Sequence, residues 1–371
     1  MQRLKQMRLQ GWKSIRDQTV ELTPLTVLIG ANGAGKSSLL SVFKLINAMF
    51  ANTPGLRTFV GMNGFADSLL HFGSKATPVA EMELVFDTDT GETTYYARWA
   101  AASGGALLFT EERVSFHRTS ASQPVVVDLG SGHTETHLIA EADNGNKTAE
   151  VTLRLLRGCR LFHFHDTSDT SNVRQTCPIE ANRYLFPDAG NLAAMLYLFR
   201  EKYPTAFRRI TATVQQMVPD FDSFVLEPRE LNTSQILLNW KHKDRDYEFG
   251  PQQLSDGTVR FISLATLMLQ PTEKLPLLLT LDEPELGLHP AALEILAEMV
   301  TAASQHTQIV LATQSSVFLD HIDPADVIAV DCKAGVSEFH RLNPDKLAHW
   351  LESYTLGEVW EKNVVGGGPY G

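Results

Sequence analysis

The sequence has little cysteine and no long apolar run. Its 371 residues include three cysteines, Cys159, Cys177 and Cys332, and no two of them have the C-x-x-C spacing. A disulfide framework or a structural zinc site is therefore not expected, and a reducing cytoplasm fits the composition. No stretch approaches about 18 uninterrupted apolar residues, and the N-terminus lacks the apolar segment of a signal peptide. We therefore expect a soluble, cytoplasmic protein without a membrane span.

Basic residues are also in the minority. Lys and Arg number 32 against 43 Asp and Glu, which gives a net charge of −11. This balance argues against a generally basic nucleic-acid-binding protein. One local basic patch precedes the first acidic residue, and it is either a DNA contact or a solvated strand edge, since edges often carry Lys and Arg. Its members are Arg3, Lys5, Arg8, Lys13 and Arg16.

Residues 25–40, LTVLIGANGAGKSSLL, contain the pattern G-x-x-x-x-G-K-[ST] of a phosphate-binding loop. An apolar strand precedes the loop, and a helix is predicted to begin near Lys36. Gly30, Gly33 and Gly35 let backbone N–H groups turn toward phosphate oxygens with no Cβ in the way. Lys36 can then reach the β- and γ-phosphates at the helix N-terminus, and Ser37 can ligate Mg²⁺. The flanking strand and helix favour this interpretation over a chance glycine-rich turn.

A second motif follows the apolar run LPLLLTL. Asp282 ends this predicted buried strand and Glu283 comes next. A carboxylate at a strand end is where a phosphate-loop enzyme holds Mg²⁺, and the next carboxylate can act as general base toward water. The alternative is an ordinary acidic turn. The phosphate loop earlier in the chain favours the functional interpretation over that alternative.

A third motif, LSDGTVRF at residues 254–261, opens a predicted helix from Ser255 to about Leu269. Ser255 suits the N-cap, and Gly257 keeps the first turn open as an anion site. One subunit has no need of a second phosphate cradle for a single nucleotide. We therefore expect Ser255 and Gly257 to face the γ-phosphate bound by another copy; the alternative is a simple capped, buried helix.

The remaining patterns predict an α/β protein with an added β-lobe. Two short strands lie within residues 4–22, the phosphate-loop helix runs to about Met49, and residues 51–73 are expected to be loop. Six short runs between Val79 and about Leu155 predict an antiparallel lobe whose most exposed loop is 129–148. The runs are EMELVF, TTYYARW, ALLFT, RVSFH, PVVVDL and EVTLRL.

The second half of the chain predicts two helices split at Pro204, the strands FDSFVLEP and SQILLNW, and then an alternation of strands and helices typical of a parallel sheet. We predict an ATPase core at residues 1–55 and 250–371. A β-rich lobe at 56–160 and a helical and β insertion at 161–249 interrupt it.

Together, GANGAGKSS, LSDGT, LLLTLDEPELGLHP and VLATQSS resemble the ABC-type ATPases of the SMC, RecF and OLD group. The chain is most similar to the compact stand-alone "predicted ATPase" subgroup of AAA-type P-loop proteins. The resemblance implies a P-loop NTPase fold of ABC-ATPase type, with a mixed sheet, flanking helices, an antiparallel β-lobe and a helical insertion.

The resemblance also implies an ATP-sandwich homodimer with ATP and Mg²⁺ as cofactors. Asp282 and Ser37 would hold the metal, with Glu283, Gln314 and Lys36 as catalytic residues. Ser255 and Gly257 would close on the partner's nucleotide. The loop residues that would bind ATP in the same subunit are Gly30, Asn32, Gly33, Ala34, Gly35, Lys36, Ser37 and Ser38.

The sequence departs from that family pattern in two places. Gln314 occupies the switch position that carries His in transporter and SMC ATPases, and Gln cannot gain a proton near neutral pH. Slow turnover is therefore expected. No glutamine lies between Ser37 and Ser122 to serve the Q-loop, for which Asn63 or His71 are the candidates. In the ELGLHP segment, Glu285 and His289 are candidates for dimer-interface contacts.

His163, His165 and Asp166 form an H-x-H-D cluster that could ligate a metal, but polar loop contacts are the favoured interpretation. The 57 residues after Gln314 are too few for the toprim nuclease domain of OLD-type proteins, so no nuclease is expected here. The predicted function is an ATPase that switches a separate effector, such as a nuclease or toxin, or a DNA contact, in phage defence or DNA repair. A nucleotide-gated scaffold with negligible hydrolysis is the alternative, and a transporter subunit is less favoured.

Overall fold

The computed structural model describes residues 2–50 and 55–368. Its N-terminal part forms a hairpin, then the strand that leads into the phosphate loop and a long helix. Residues 56–69 form two helices, so the prediction of loop there is wrong, while residues 51–54 lie outside the described part. The first of these helices is capped from afar, because the Glu135 carboxylate accepts from the N–H groups of Leu56 (2.7 Å) and Arg57 (3.1 Å). The elements are β1 Arg3–Trp12, β2 Ile15–Glu21, β3 Leu25–Ile29, α1 Lys36–Phe50, α2 Leu56–Met62 and α3 Phe65–Leu69.

The β-lobe follows, with two corrections to its predicted elements. ALLFT and RVSFH belong to one strand with a register shift opposite Arg98 and Trp99. EVTLRL is helical, because the Asn146 side chain caps the N–H groups of Thr148 and Ala149 and the buried residues recur at helical spacing. A further short helix occupies part of the predicted exposed loop. The elements are β4 Val79–Thr88, β5 Gly91–Ala101, β6 Leu107–Arg118, β7 Val125–Gly130, α4 Leu138–Asp143 and α5 Lys147–Arg157.

The middle of the chain contains the two helices predicted on either side of Pro204. SQILLNW is split between two strands that belong to different small sheets. The elements are β8 Cys159–Phe162, β9 Cys177–Pro178, α6 Leu192–Lys202, α7 Pro204–Met217, β10 Phe221–Val225, β11 Pro228–Arg229, β12 Asn232–Ile236, β13 Asn239–His242 and β14 Glu248–Phe249.

The C-terminal part alternates helices and strands as predicted. The helix opened by LSDGT begins at Asp256 with Ser255 as its N-cap, and LPLLLTL supplies a buried strand. The elements are α8 Asp256–Leu269, β15 Leu278–Asp282, α9 Pro290–Ser304, β16 Gln308–Thr313, α10 Ser316–Leu319, β17 Val327–Lys333, β18 Val336–Arg341, α11 Pro344–Leu351 and α12 Leu356–Glu361.

Two six-stranded sheets organise these elements. The antiparallel sheet has the order β2-β1-β4-β5-β6-β7, and the mixed sheet has the order β18-β17-β3-β16-β15-β8 with only β18 antiparallel. Alternate residues of the mixed sheet enter two cores. Leu28, Val310 and Ala312 pack toward α1 and the lobe, whereas Ile29 and Leu311 pack toward α6, α8 and α9. The mixed α/β fold and its β-lobe are confirmed.

The Gln308 carboxamide joins the two sheets. Its side chain bonds both the N–H and the C=O of Leu4 at 2.8 Å and donates to the Thr23 carbonyl at 3.1 Å. Because β1 belongs to the antiparallel sheet and Gln308 opens β16, this buried side chain fixes the lobe against the mixed sheet. In the described part of the chain, no helix is long and apolar enough to cross a membrane.

Candidate functional site

The phosphate loop leaves the carboxyl end of β3, whose five residues are all buried. Gly33 and Gly35 have φ of +80° and +119°, in the left-handed region that favours glycine. A Cβ on Gly33 would meet no atom within 4 Å, so this part of the loop opens to free space. Asn32, Gly33 and Ser37 are exposed, whereas Ala34, Gly35 and Lys36 are buried. The loop is thus built as an open cradle ahead of the α1 N-terminus.

A chain of serine hydroxyl groups is hydrogen-bonded to the phosphate loop. Ser337 on β18 bonds the Ala34 carbonyl (2.6 Å) and Ser14 (2.7 Å), and Ser14 bonds Ser38 (2.8 Å). On the other side, Trp12 Nε1 donates to Ser41 Oγ at 2.9 Å. A Cβ on Gly35 would overlap the Ser337 hydroxyl, so this glycine is required by packing as well as by its φ. Sequence reasoning missed Ser14 and Ser337 because neither belongs to a local motif.

The Lys36 ammonium turns back onto its own loop. It donates to the carbonyls of Gly30 and Ala31. Burial lowers the pKa of Lys36, and the nearby carboxylates of Glu283 and Asp282 oppose that shift. A buried cation hydrogen-bonded to neutral carbonyls, in an open loop ahead of a helix N-terminus, fits an anionic ligand such as a triphosphate.

Asp282 and Glu283 stand at the carboxyl end of β15, the same edge of the sheet as the phosphate loop. Burial, and then the charge of Glu283, raise the pKa of Asp282. Glu283 has φ of +44°, which for a non-glycine residue costs about 1–3 kcal/mol. Its N–H donates to Ala312 O at 2.8 Å, which holds this conformation. The Asp282 carboxylate and the Ser37 hydroxyl are the oxygen donors that Mg²⁺ prefers.

Gln314 follows β16, the strand between β3 and β15, and reaches the carboxylate predicted as general base. Its Nε2 donates to Glu283 Oε1. Glu285 accepts from Thr313 Oγ1 at 2.5 Å and from the Gln314 N–H at 3.1 Å, and burial raises the pKa of Glu285. The Glu285 carboxylate therefore fixes the segment at Thr313 and Gln314, at the end of β16, within one chain. Its contact with a second subunit stays a prediction.

The loop after β8 places polar groups beside Asp282. His165 lines a small cavity with Asp282 and Glu283. Burial lowers the pKa of His163, which lies near Asp282 and Lys44. Asp166 turns away from both histidines to bond the Ser168 N–H and hydroxyl. Within the described residues, no group of three or more potential metal ligands is found.

The two Q-loop candidates have other contacts. Asn63 caps α2, and its side chain donates to Phe59 O at 2.8 Å. His71 is buried with Nδ1 2.7 Å from Lys13 O, and its ring packs against Phe72. Of the described residues considered for this position, His165 is the one that lines a cavity with Asp282, and the Q-loop residue stays a prediction.

The LSDGT motif lies at the N-terminus of α8. Ser255 Oγ accepts from Thr258 N at 3.2 Å, and the Ser255 side chain is exposed. Ser255 and Gly257 share a cavity with Gly287, Leu288 and His289. No hydrogen bond joins either of these two motif residues to the phosphate loop in the described part of the chain. The motif therefore borders the ELGLHP segment, and His289 itself caps α9 through Nδ1.

Two buried arginines connect this motif to the loop after β8. Arg174 donates to Thr167 O (2.7 Å), Leu254 O (3.0 Å) and the Asp256 carboxylate (2.8 Å). Arg260 donates to the carbonyls of Phe164 (2.9 Å) and His165 (3.0 Å). The start of α8 and the loop beside Asp282 are thus one hydrogen-bonded unit. Neither arginine was identified from sequence, because most of their partners lie about 80 to 96 residues away.

Solved structures share this architecture. The head domain in "Crystal structure of the SmcHead bound to the C-winged helix domain of ScpA" matches with TM-score 0.63 and 18% identity over 93% of this chain and 99% of that one. An Smc head with an extended coiled coil, bound to the C-terminal domain of ScpA from Pyrococcus furiosus, matches with TM-score 0.61 and 15% identity over 95% of this chain and 99% of that one. The SMC head domain from Thermotoga maritima matches with TM-score 0.50 and 16% identity over 92% of this chain and 99% of that one.

The chain has the fold of SMC head domains. Two family models agree with this, an "AAA domain" model over residues 6–158 and an "AAA domain, putative AbiEii toxin, Type IV TA system" model over residues 168–320. A search among curated proteins finds no significant match. The SMC-like ATPase resemblance predicted from the motifs is confirmed, while the roles of the individual site residues stay predictions.

Proposed function

We propose that this SMC-like chain binds ATP with Mg²⁺ and hydrolyses the nucleotide slowly in the cytoplasm. The observation that carries this proposal is the convergence of the phosphate loop, Asp282, Glu283 and Gln314 at the carboxyl ends of the adjacent strands β3, β15 and β16. Ligands of open α/β sheets bind at this edge. A buried lysine and a half-buried carboxylate at the same edge match the charges of phosphate and metal.

In this proposal each residue has a defined task. Lys36 and the loop N–H groups hold the β- and γ-phosphates, while Asp282 and Ser37 would hold Mg²⁺, which offsets phosphate charge. Glu283 takes a proton from water as the water oxygen bonds to the γ-phosphorus. The bond from that phosphorus to the ADP oxygen breaks, and ADP and phosphate are the products.

The hydrogen bond from Gln314 supports slow turnover. Its Nε2 occupies one oxygen of Glu283, so the base has one fewer site at which to accept water. The amide also cannot store a proton. The same contact favours the alternative proposal, a nucleotide-gated scaffold with negligible hydrolysis.

Steady-state hydrolysis by wild type and by Glu283→Gln distinguishes the two proposals. For an ATPase we expect the variant to lose at least a hundredfold in kcat, the scale of a general-base contribution, while it still binds labelled ATP. Equal rates in both proteins would refute hydrolysis by Glu283 and leave the scaffold. Failure of wild type to bind ATP would refute both.

We further propose that two ATP-bound copies pair head to head. Supporting features are the exposed Ser255 at the α8 N-terminus and its cavity shared with the ELGLHP segment, which leave the motif free for a partner's γ-phosphate. Sizing of Glu283→Gln with ATP and Mg²⁺ should show a dimer. In that background Ser255→Arg should remove the dimer, whereas Thr355→Ala, at the N-cap of α12, should not. A persistent dimer in Ser255→Arg would refute the trans role.

We propose that dimerisation switches a separate effector, a nuclease or toxin, or a DNA contact. The matched Smc heads are bound to ScpA domains, which supports a protein partner. One matching family description names a putative toxin of a type IV toxin–antitoxin system, which favours defence over DNA repair. Co-expression of a neighbouring gene product, followed by co-purification with and without ATP, tests this: a partner whose retention does not change with ATP would refute the switch.

A further inference from the structure

A groove of about 990 Å³ runs beside β8, the edge strand of the mixed sheet. It is lined by α5, by the segment around Tyr184 and by residues just before β15. Leu277 on its wall precedes the amino end of β15, and Asp282 ends that strand. At 3.3 Å per residue, the groove wall is on the order of 15 Å from the metal carboxylate along the strand. The proposed ATP site does not include the groove.

The groove is cationic, although the chain carries a net charge of −11. Three acidic residues also line it, and one of them, Glu150, is paired with Lys147 at 2.7 Å. None of the groove's cations takes part in a salt bridge among the described residues. Five positive charges therefore face the groove without a carboxylate partner: Arg154, Arg157, Arg160, Arg183 and Lys274.

The N-terminal basic patch predicted from sequence is different. Arg3 pairs with Asp87 at 3.7 Å, Lys5 with Glu92 at 2.5 Å and Arg8 with Asp17 at 3.3 Å. Phosphate groups would have to compete with these carboxylates. The groove is therefore the better electrostatic site for a polyanion, because within the described part of the chain none of its five cations is in a salt bridge, whereas three of the five in the patch are.

Flat side chains accompany these charges. The Arg160 guanidinium lies 3.8 Å from the centre of the Tyr184 ring, and the Phe186 ring lies 6.0 Å from that of Tyr184. Tyr184 is 40% exposed and Phe186 38%. Nucleobases stack on exposed aromatic and guanidinium planes, and arginines along a groove contact the phosphates. A purely anionic peptide has no aromatic group that could stack on these rings.

We propose that this groove binds single-stranded nucleic acid, with Arg154 and Arg183 on its phosphates and Tyr184 stacked on a base. A duplex keeps its bases inside and cannot use Tyr184 in this way. The proposal does not depend on hydrolysis, and it moves the DNA contact from the N-terminal patch to the groove.

Fluorescence anisotropy of a labelled 20-nucleotide single strand at 50 and 200 mM salt tests the proposal. The variant Arg154→Ala/Arg183→Ala should bind at least tenfold more weakly at 50 mM salt. The slope of its log affinity against log salt concentration should be shallower by about 1.4, or about 0.7 for each lost phosphate contact with a single strand. Arg3→Ala/Arg8→Ala removes the same charge from the paired patch and should stay within about twofold of wild type. All variants should keep wild-type ATPase rates and melting temperatures.

Tyr184 separates stacking from charge. Tyr184→Ala should weaken binding of the single strand about five- to a hundredfold, as expected for one lost stacked base, and Tyr184→Phe should retain wild-type affinity. Four results would overturn the proposal: no binding by wild type at 50 mM salt, equal losses in both arginine pairs, an unchanged affinity in Tyr184→Ala, or tighter binding of a polyglutamate peptide than of the strand.

Discussion

Replacing Ser337 by Ala should weaken ATP binding without touching the phosphate-loop motif. The hydroxyl donates to the buried Ala34 carbonyl at 2.6 Å and is hydrogen-bonded to Ser14, which in turn is bonded to Ser38. Removing it leaves a buried carbonyl without its partner, which costs about 1–3 kcal/mol. If about 1–2 kcal/mol of that cost falls on the phosphate-binding form of the loop, the Kd for ATP should rise about 5- to 30-fold.

Titration of a fluorescent ATP analogue measures this change, and thermal unfolding measures stability in parallel. Ser304→Ala is the matched control, because Ser304 is also buried and its hydroxyl donates to a carbonyl, Thr301 O at 2.8 Å, at the far end of α9. The control should lose stability and keep its affinity within about twofold. Wild-type affinity in Ser337→Ala, or an equal loss in Ser304→Ala, would refute the idea that the hydroxyl chain sets the loop.

Two further predictions concern the same edge of the sheet. Gly35→Ala should abolish ATP binding, because its Cβ would overlap the Ser337 hydroxyl and its φ is +119°; measurable binding in a folded variant would contradict this. Asp282→Asn should raise the melting temperature of the nucleotide-free protein, and the gain should grow with pH. Burial raises the pKa of Asp282, so wild-type stability is lost as pH rises from the usual carboxyl range through that raised value. Melting curves from about pH 4, near the ordinary carboxyl pKa, to pH 8 measure the difference, and a gain that does not grow with pH over this range would contradict it.

The motifs could be predicted from sequence because each is local. The phosphate loop, the strand ending at Asp282 and the helix capped by Ser255 combine periodicity, glycine and a capping residue within a short segment. Those signals do not depend on the rest of the fold, and these elements are found as predicted.

The predictions that were wrong or incomplete share a cause, because each depends on contacts with residues outside the local segment. Helix α2 has no N-cap of its own and is capped by Glu135, so its segment resembles a loop in sequence. The β8 strand has only four residues, and its neighbour β15 lies more than a hundred residues later, which hid the role of the His163–His165 loop. EVTLRL alternates like a strand but is helical because of Asn146, a residue outside the run.

We expect long-range hydrogen bonds to set the point during synthesis at which the phosphate-binding site can form. GANGAGKSS leaves the ribosome early, but Ser337 and Gln308 are about 300 residues away from the partners they hold, Ala34 and Leu4. A nascent chain therefore displays the motif long before the site exists. A protein truncated before β18 would still match the motif in any search, yet should not hold a nucleotide. We therefore expect an incomplete chain not to bind a nucleotide until its C-terminal strands have been made.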